Sequence, residues 1–340
     1  MKAFVTGGTG LVGGNLIRAL VTRGWEVQTL VRRTGKTAAF DDLPEVKRIE
    51  GDLSDIESIK RGCSGCEIVF HCAAMVTMWA ANVNRMWQVN MHGTRNVLDA
   101  ALTAGVRRVI HVSTVDAIGF NTPDGWGTID KPSHEEIRGP NNWARIPYMT
   151  TKWMSQELAR DFTRTHDLDV VIVNPAYIIG PYDVKPSSGR MIIEAARGMV
   201  KAYTGGGNNF IHVADVVEAM INAVDRGRRG ELYILGNANL FYREIFAKIA
   251  GVIGVAAPKF EIPKPISYAA GALGSAAGML FGRWGVTPDT LNYRTVKMGY
   301  IQHFFDPAKA RRELSLQATP IEVAIEDAYR WFVDNKYLVR

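Results

Sequence analysis

Apolar positions along the first thirty residues change period twice. A short run, Ala3 to Val5, breaks into glycines and resumes at helical spacing through Leu11, Val12, Leu16, Ile17 and Leu20, which predicts strand, tight turn and helix. The helix ends near Arg23-Gly24, and Glu26 to Val31 reads as a second strand. Further apolar runs predict strands at Val46 to Ile49, Glu67 to Cys72, Arg107 to Val112 and Asp169 to Val173, with a helix from about Asn84 to Ala104 between two of them. Strands alternating with helices at this spacing imply an α/β fold with a parallel, doubly wound sheet.

Downstream the rhythm loosens. A helix near Gly189 to Met199 is followed by a hairpin-like turn at Gly205 to Asn209, a strand at Phe210 to Val213, a helix at Asp215 to Asp225 and a strand at Glu231 to Leu235. The rest reads as mainly helical. Asp306-Pro307 starts one helix, and Thr319-Pro320-Ile321-Glu322 starts another as a capping box with proline at the first helical position. Phe120 to Ile146, 27 residues rich in Gly, Pro, Asn and Asp with Trp126 and Trp143 embedded, is expected to be a lid, because loops this long are usually functional.

Composition narrows the class. The 340 residues are 47% apolar and 22% charged, with a net charge of +6, ordinary for a globular enzyme. The basic residues are scattered in short pairs, which excludes a nucleic-acid surface. Three cysteines cannot build a disulfide framework, and Cys63-x-x-Cys66 has no second half, so no metal is expected. With the first strand starting at Lys2 there is no room for a signal peptide, and the cytoplasm is expected. Ile266 to Gly282 is uncharged over 17 residues, too short to span a bilayer; it is read as a buried or substrate-covering helix, with weak membrane-surface contact as the alternative.

The chemistry begins at the first turn. Gly8, Gly10 and Gly13 satisfy G-x-G-x-x-G, and Gly7, Gly10 and Gly13 satisfy G-x-x-G-x-x-G. Between a strand and a helix, such a turn lets backbone N–H groups approach a pyrophosphate, so Gly7, Thr9, Gly10, Leu11, Val12 and Gly13 form the expected cofactor cradle. Arg32 and Arg33 stand at the end of the second strand, where a carboxylate would bind a ribose 2′-OH and a cation a 2′-phosphate; arginine points to NADP(H), with Lys36 assisting. Ala73 and Ala74, at the end of the fourth strand, let a ribose or nicotinamide lie against backbone, with Met75 to Trp79 beginning the adjoining wall. Ser113-Thr114 end the fifth strand. Further on, Tyr148 and Lys152 share one helix face behind Pro147, and a nearby cation is what makes a phenol useful in acid–base work.

Taken together, TGGTGLVG at Thr6, GDL at Gly51, HCAA at His71, VNMHGTRNVL at Val89, VSTVDAIG at Val112, YMTTK at Tyr148, NPAYIIGP at Asn174 and HVADVVEA at His212 resemble the extended short-chain dehydrogenases/reductases, the epimerase/dehydratase superfamily, over nearly the whole chain. The chain is most similar to the dihydroflavonol-4-reductase-like and 3β-hydroxysteroid-dehydrogenase-like branch. GPYDVKPSSGRMII and WFVDNKYL resemble bacterial hopanoid-associated sugar epimerases.

The resemblance implies a Rossmann domain over 1–182, rejoined by 208–236, and a smaller, mainly helical substrate domain over 183–207 and 237–340. It implies that Tyr148 is the general acid or base and that Lys152 lowers its pKa and binds the nicotinamide ribose. Thr114 or the adjacent Ser113 would polarise the substrate oxygen. Asp52 and Leu53 would bracket the adenine, Pro175 and Ile178 the nicotinamide, and Asn90 would support the Lys152 region. A homodimer is usual in the family.

The leading expectation is an NADP(H)-dependent carbonyl–alcohol oxidoreductase acting on a largely apolar small molecule, with Met75, Met78, Trp79, Phe120, Tyr177, Ile178 and the 266–282 segment at the pocket edge. A nucleotide-sugar epimerase or dehydratase with tightly held NAD(P) is the alternative; it needs cations for a diphosphate, and Lys185, Arg190 and Lys201 are the candidates. A non-catalytic dinucleotide sensor is the reading from another class.

Overall fold

The computed structural model describes residues 1–76, 83–119, 121, 126–137, 146–281 and 292–338. Met78, Trp79, Phe120, Trp143 and Gly282 lie outside the described residues.

The first half alternates as the apolar runs require: β1 (Lys2–Thr6), α1 (Leu11–Thr22), β2 (Glu26–Val31), β3 (Lys47–Glu50), α2 (Ile56–Cys63) and β4 (Ile68–His71). Then come α3 (Val83–Trp87), a π-helical turn over Gln88–His92, α4 (Gly93–Thr103), β5 (Arg108–Val112), a 3₁₀ turn over Val115–Ala117, α5 (Pro147–Thr165) and β6 (Val170–Pro175). The second half holds β7 (Tyr177–Ile179), α6 (Arg190–Ala196), β8 (Ala202–Tyr203), β9 (Gly207–His212), α7 (Val213–Arg226) and β10 (Leu232–Leu235). It closes with β11 (Ala238–Phe241), α8 (Tyr242–Ile253), β12 (Phe260–Glu261), α9 (Lys264–Phe281), α10 (Tyr293–Met298), β13 (Gln302–His303), α11 (Ala308–Leu314) and α12 (Ile321–Asp334).

Seven strands form one parallel sheet in the order β10-β6-β5-β4-β1-β2-β3. The chain order reverses between β1 and β4, the place where such sheets bind ligands. Strand alternation divides the core in two. Ala3, Val5, Val171, Val173, Tyr233 and Leu235 pack on one face, and Phe4, Val170, Ile172, Leu232 and Ile234 on the other. A separate apolar cluster joins α6, α8 and α12 through Ile192, Ile249, Ile325 and Phe332.

Four local expectations change. The helix expected from Asn84 to Ala104 is interrupted by the π turn, where the Thr94 hydroxyl donates to the Asn90 carbonyl at 2.7 Å; such insertions widen the ladder and are frequent at functional sites. The glycines at 205–207 do not close a hairpin, because β8 pairs with β12 and β9 pairs with β7, β11 and β13. Thr319-Pro320-Ile321-Glu322 is not a capping box: Pro320 is the N-cap of α12, while Thr319 donates through N and Oγ1 to the two Asp215 oxygens at 2.9 and 2.7 Å. Trp126 is no lid residue. It is fully buried, stacks on His303 at 4.3 Å between centroids, and donates Nε1–H to the Ile118 carbonyl, while Gly127 and Ser133 bridge to His303 and Phe305.

Candidate active site

At the switch point the chain turns on Gly7, whose φ is +78°, a conformation that favours glycine. Gly10 N–H donates to the Gly7 carbonyl at 3.0 Å, and α1 starts at Leu11 behind an N-cap with no side chain to satisfy its first N–H groups. A Cβ at Gly7 would stand 2.6 Å from the Ala73 nitrogen, and one at Gly13 would collide with the Gly7 carbonyl. The structure thereby separates the two glycine spacings. Gly7 and Gly10 face a cavity, whereas Gly8 packs inward against Thr29 and Ile17.

That cavity holds about 550 Å³. Gly7, Thr9, Gly10, Leu11, Arg32, Asp52, Leu53, Ala73 and Ala74 line it, as does Met75. Val12 and Gly13 stand behind the lining in the helix, where Val12 packs on the core. Arg33, Asn90, Pro175 and Ile178 also lie outside the lining; Arg33 is exposed, Pro175 ends β6, and Ile178 packs on the core from β7. The Asp52 carboxylate accepts from Ser54 N and Oγ at 3.1 and 3.0 Å. Leu53 is held by Asn96, which donates to its carbonyl at 2.8 Å. Arg85 and Lys185 add two cations to the lining. A cleft with backbone N–H groups at a glycine turn and cations along its wall fits a nicotinamide dinucleotide, whose pyrophosphate such a turn can hold.

The other end of the site is made of buried polar side chains. Asn90, carried by the π turn, accepts from Met75 N at 2.7 Å and donates to Met75 O and Thr151 Oγ1, each at 3.0 Å. It ties the strand-end loop to the residue beside Lys152. Lys152 is 3% exposed, and its Nζ donates to the Val112 carbonyl at 2.8 Å. Burial pulls its ammonium down to about 8, while the Cys72 thiol pulls the other way.

The Tyr148 phenol is held above its ordinary range, first by burial and then by the Asp116 charge, against a hydrogen bond from Thr114 that favours the phenolate. The resemblance has Lys152 lowering this phenol. In the present arrangement the amine lies on Val112, and its charge acts on His71, His111 and Cys72.

Ser113 and Thr114 differ sharply. Ser113 Oγ is buried without a partner. Thr114 Oγ1 caps the 3₁₀ turn by accepting from Asp116 N, and donates to Asp116 Oδ2, both at 3.3 Å. The Thr114 carbonyl accepts from Asn174 Nδ2 at 2.8 Å, and Asn174 donates to Gln156 Oε1 at 2.6 Å. Beneath the site His71 bridges Thr6 at 2.7 Å and Thr94 at 3.0 Å. Its ring lies 5.3 Å from that of His111. Burial pulls His71 down to about 3 and His111 well below its ordinary value, so both are neutral.

Sequence reasoning missed Asp116, Arg85 and Tyr242. Asp116 stands inside the VSTVDAIG run, two residues after Thr114, but no spacing rule marks it. The Tyr242 phenol, at the start of α8, is held up first by burial and then by the Asp116 charge, against the Asn208 side chain; nothing local in the sequence marks it. The three candidate cations for a substrate diphosphate do not converge. Lys185 joins the dinucleotide cleft, Arg190 pairs with Glu194 at 2.7 Å, and Lys201 lines a separate cavity with Lys259. Cys63 and Cys66 are free thiols packed in the core. Among the described residues no three His, Cys, Asp or Glu gather as a metal set, and no helix is long and apolar enough to cross a membrane.

Comparison with known proteins gives the family and the fold. The profile of the NAD dependent epimerase/dehydratase family matches residues 3–236. Over 342 residues the chain is 33% identical to a putative dihydroflavonol 4-reductase of Synechocystis sp., covering 98% of this chain and 95% of that one. It is 34% identical over 346 residues to sterol demethylase protein B of Methylococcus capsulatus, covering 98% of each. A solved nucleoside-diphosphate-sugar epimerase from Pseudomonas aeruginosa matches with a TM-score of 0.77 at 25% identity, covering 100% of this chain and 99% of that one.

Proposed function

The chain belongs to the NAD dependent epimerase/dehydratase family of extended short-chain dehydrogenases/reductases, and from that premise we propose an NADP(H)-dependent oxidoreductase that interconverts a carbonyl and an alcohol on a largely apolar substrate. One observation carries this reading: buried Lys152, one helical turn after Tyr148 on α5, donates to the Val112 carbonyl just before Ser113-Thr114, while Arg32 lines the cleft that starts at the glycine turn. NADP(H), when bound, supplies or takes up the hydride. Gly7 and Gly10 would hold its pyrophosphate, with Thr9, Leu11, Val12 and Gly13 shaping the turn, and Arg32 its 2′-phosphate, with Arg33 assisting. Asp52 and Leu53 would flank the adenine, and Ala73, Ala74, Pro175 and Ile178 the nicotinamide side.

In this reading Tyr148 donates a proton to the substrate oxygen or accepts one from it, Thr114 polarises that oxygen, and Lys152 holds the ribose and would stabilise the phenolate only once it leaves the Val112 carbonyl. Ser113 lies behind Thr114 and Asn90 secures Lys152's neighbour. Residues 1–182 with 208–236 serve the cofactor, and 183–207 with 237–340 serve the substrate. The relatives named reductases support the carbonyl chemistry over a non-catalytic sensor. Cytoplasmic location and a homodimer belong to the same proposal. So does weak membrane-surface contact, which is supported by the uncharged outer stripe of α9, where Ile266 and Leu273 are 62% and 73% exposed.

The test is NADPH oxidation against a panel of ketones and aldehydes; full activity in Tyr148→Phe would end this reading. The second reading, a nucleotide-sugar epimerase, draws on the structural likeness to such an enzyme, but Lys185, Arg190 and Lys201 stand apart. Co-purifying cofactor with turnover of a nucleotide sugar, without added NADPH, would reverse the ranking.

A further inference from the structure

The loop after β7 belongs to the segment given above to the substrate, yet Asp183, Lys185 and Ser187 line the dinucleotide cleft together with Gly7, Gly10 and Leu11. It is bolted to α1 where the glycine turn ends. Asn15 Nδ2 donates to the Leu11 carbonyl at 2.8 Å and to the Pro181 carbonyl at 2.9 Å, so one amide ties the first turn of α1 to the start of the loop. The next residue, Tyr182, has a φ of +64°, a conformation that residues other than glycine seldom adopt, and the Arg18 guanidinium stands 4.4 Å from its ring centroid.

Further along, buried Asp183 accepts through Oδ2 from Ser187 N at 2.9 Å and from Gly189 N at 3.1 Å, and the Tyr337 hydroxyl donates to the Val184 carbonyl at 2.7 Å. These bonds fix the backbone on both sides of Lys185, whose own side chain is exposed. The acids of the cleft are engaged elsewhere, Asp52 by Ser54 and Asp183 by the two N–H groups. Among the described residues Lys185 makes no ion pair.

We infer that Lys185 is a clasp for the cofactor's pyrophosphate, presented to the glycine turn by a loop that Asn15 and Asp183 hold in place. Lys185 follows Pro181 by four residues, at most about 14 Å of chain, which keeps its ammonium at the turn end of the cleft. There the uncapped start of α1 offers N–H groups and a partial positive charge, which offset only part of the charge of a diphosphate; a lysine supplies the remainder as a point charge. The two cations then divide the cofactor. Lys185 acts on phosphates that NADPH and NADH share, and Arg32 on the one that NADPH alone carries. Asn15 and Asp183 act through the loop and are positioning residues.

The inference rests on the dinucleotide reading of the cleft, and one set of binding measurements separates the failure of each. Affinities for NADPH and NADH are read by fluorescence quenching at low ionic strength, without substrate. Lys185→Gln should weaken both alike, by about tenfold, as for losing a charged hydrogen bond. Lys259→Gln, which removes the same charge from a separate cavity, should leave both within about twofold. Asn15→Leu, close in size but without the amide donors, should weaken both by about threefold when Lys185 is present and by nothing further in the Lys185→Gln background, because the two act as one unit. Unchanged affinities in Lys185→Gln, a loss confined to NADPH, or losses in Asn15→Leu and Lys185→Gln that simply add overturn the clasp. A wild type that binds neither dinucleotide sinks the reading beneath it.

Discussion

The two ends of the site are built by opposite means. At the phosphate end the chain offers backbone: a glycine with positive φ, a helix start without a capping side chain, and exposed Arg32. At the reaction end it offers side chains of α5 and the 3₁₀ turn, half-buried Tyr148 and Asp116 with fully buried Lys152, each with its proton affinity shifted by desolvation. Backbone sites bind through dipoles that cost little to expose, so they tolerate water. Side-chain acid–base sites need desolvation to move their pKa values, and desolvation requires distant parts of the chain to close over them.

The sharpest way to break this contrast is at the hydroxyl pair. Thr114→Val should cost about 100-fold in kcat, the range for removing one oxyanion donor. Ser113→Ala, whose Oγ has no partner, should change steady-state rates little; equal losses would merge the two roles.

Lys152 tests desolvation directly. Its amine is held to about 8 against an ordinary 10.5, so between these values the unfolded chain binds more protons and this group's contribution to stability rises with pH, by roughly 3 kcal/mol for a shift of this size. Cys63 and Cys72, pushed up to about 12 by burial, act in the opposite sense above pH 9, so the rise is read as the difference between wild type and Lys152→Met in denaturant titrations from pH 7 to 10.5. Curves for the two proteins that run parallel over that range would mean the amine is hydrated.

At the phosphate end, Arg32→Ala should weaken NADPH binding about tenfold, as expected for losing a charged hydrogen bond, and leave NADH nearly untouched; fluorescence quenching reads both. The smallest effect is expected from Arg33→Ala, about twofold on NADPH, since this exposed side chain lies outside the cleft lining and exposed charges contribute little.

Much of the fold was legible because it is local. The apolar runs marked the seven strands of the parallel sheet, and the Gly7–Gly13 turn stands where strand-to-helix chemistry puts it. The errors also have a physical pattern. Thr94 opened a π turn by bonding the Asn90 carbonyl, Asp215 took Thr319 away from its expected cap, and His303 pinned Trp126. In the last two a partner far along the chain, about 100 and 177 residues away, outbid the local preference.

By itself the sequence determined the strand–glycine–helix turn, the Tyr148–Lys152 spacing on one helix face and the arginine after β2, since each depends on bonds and periodicities spanning a few residues. Only the tertiary structure decided that Lys152 rests on the Val112 carbonyl, that Asn174 holds the Thr114 carbonyl, and that Asn90 links Met75 to Thr151. Proton affinities follow burial and neighbouring charge, and those exist only after strands and helices remote in sequence have packed together.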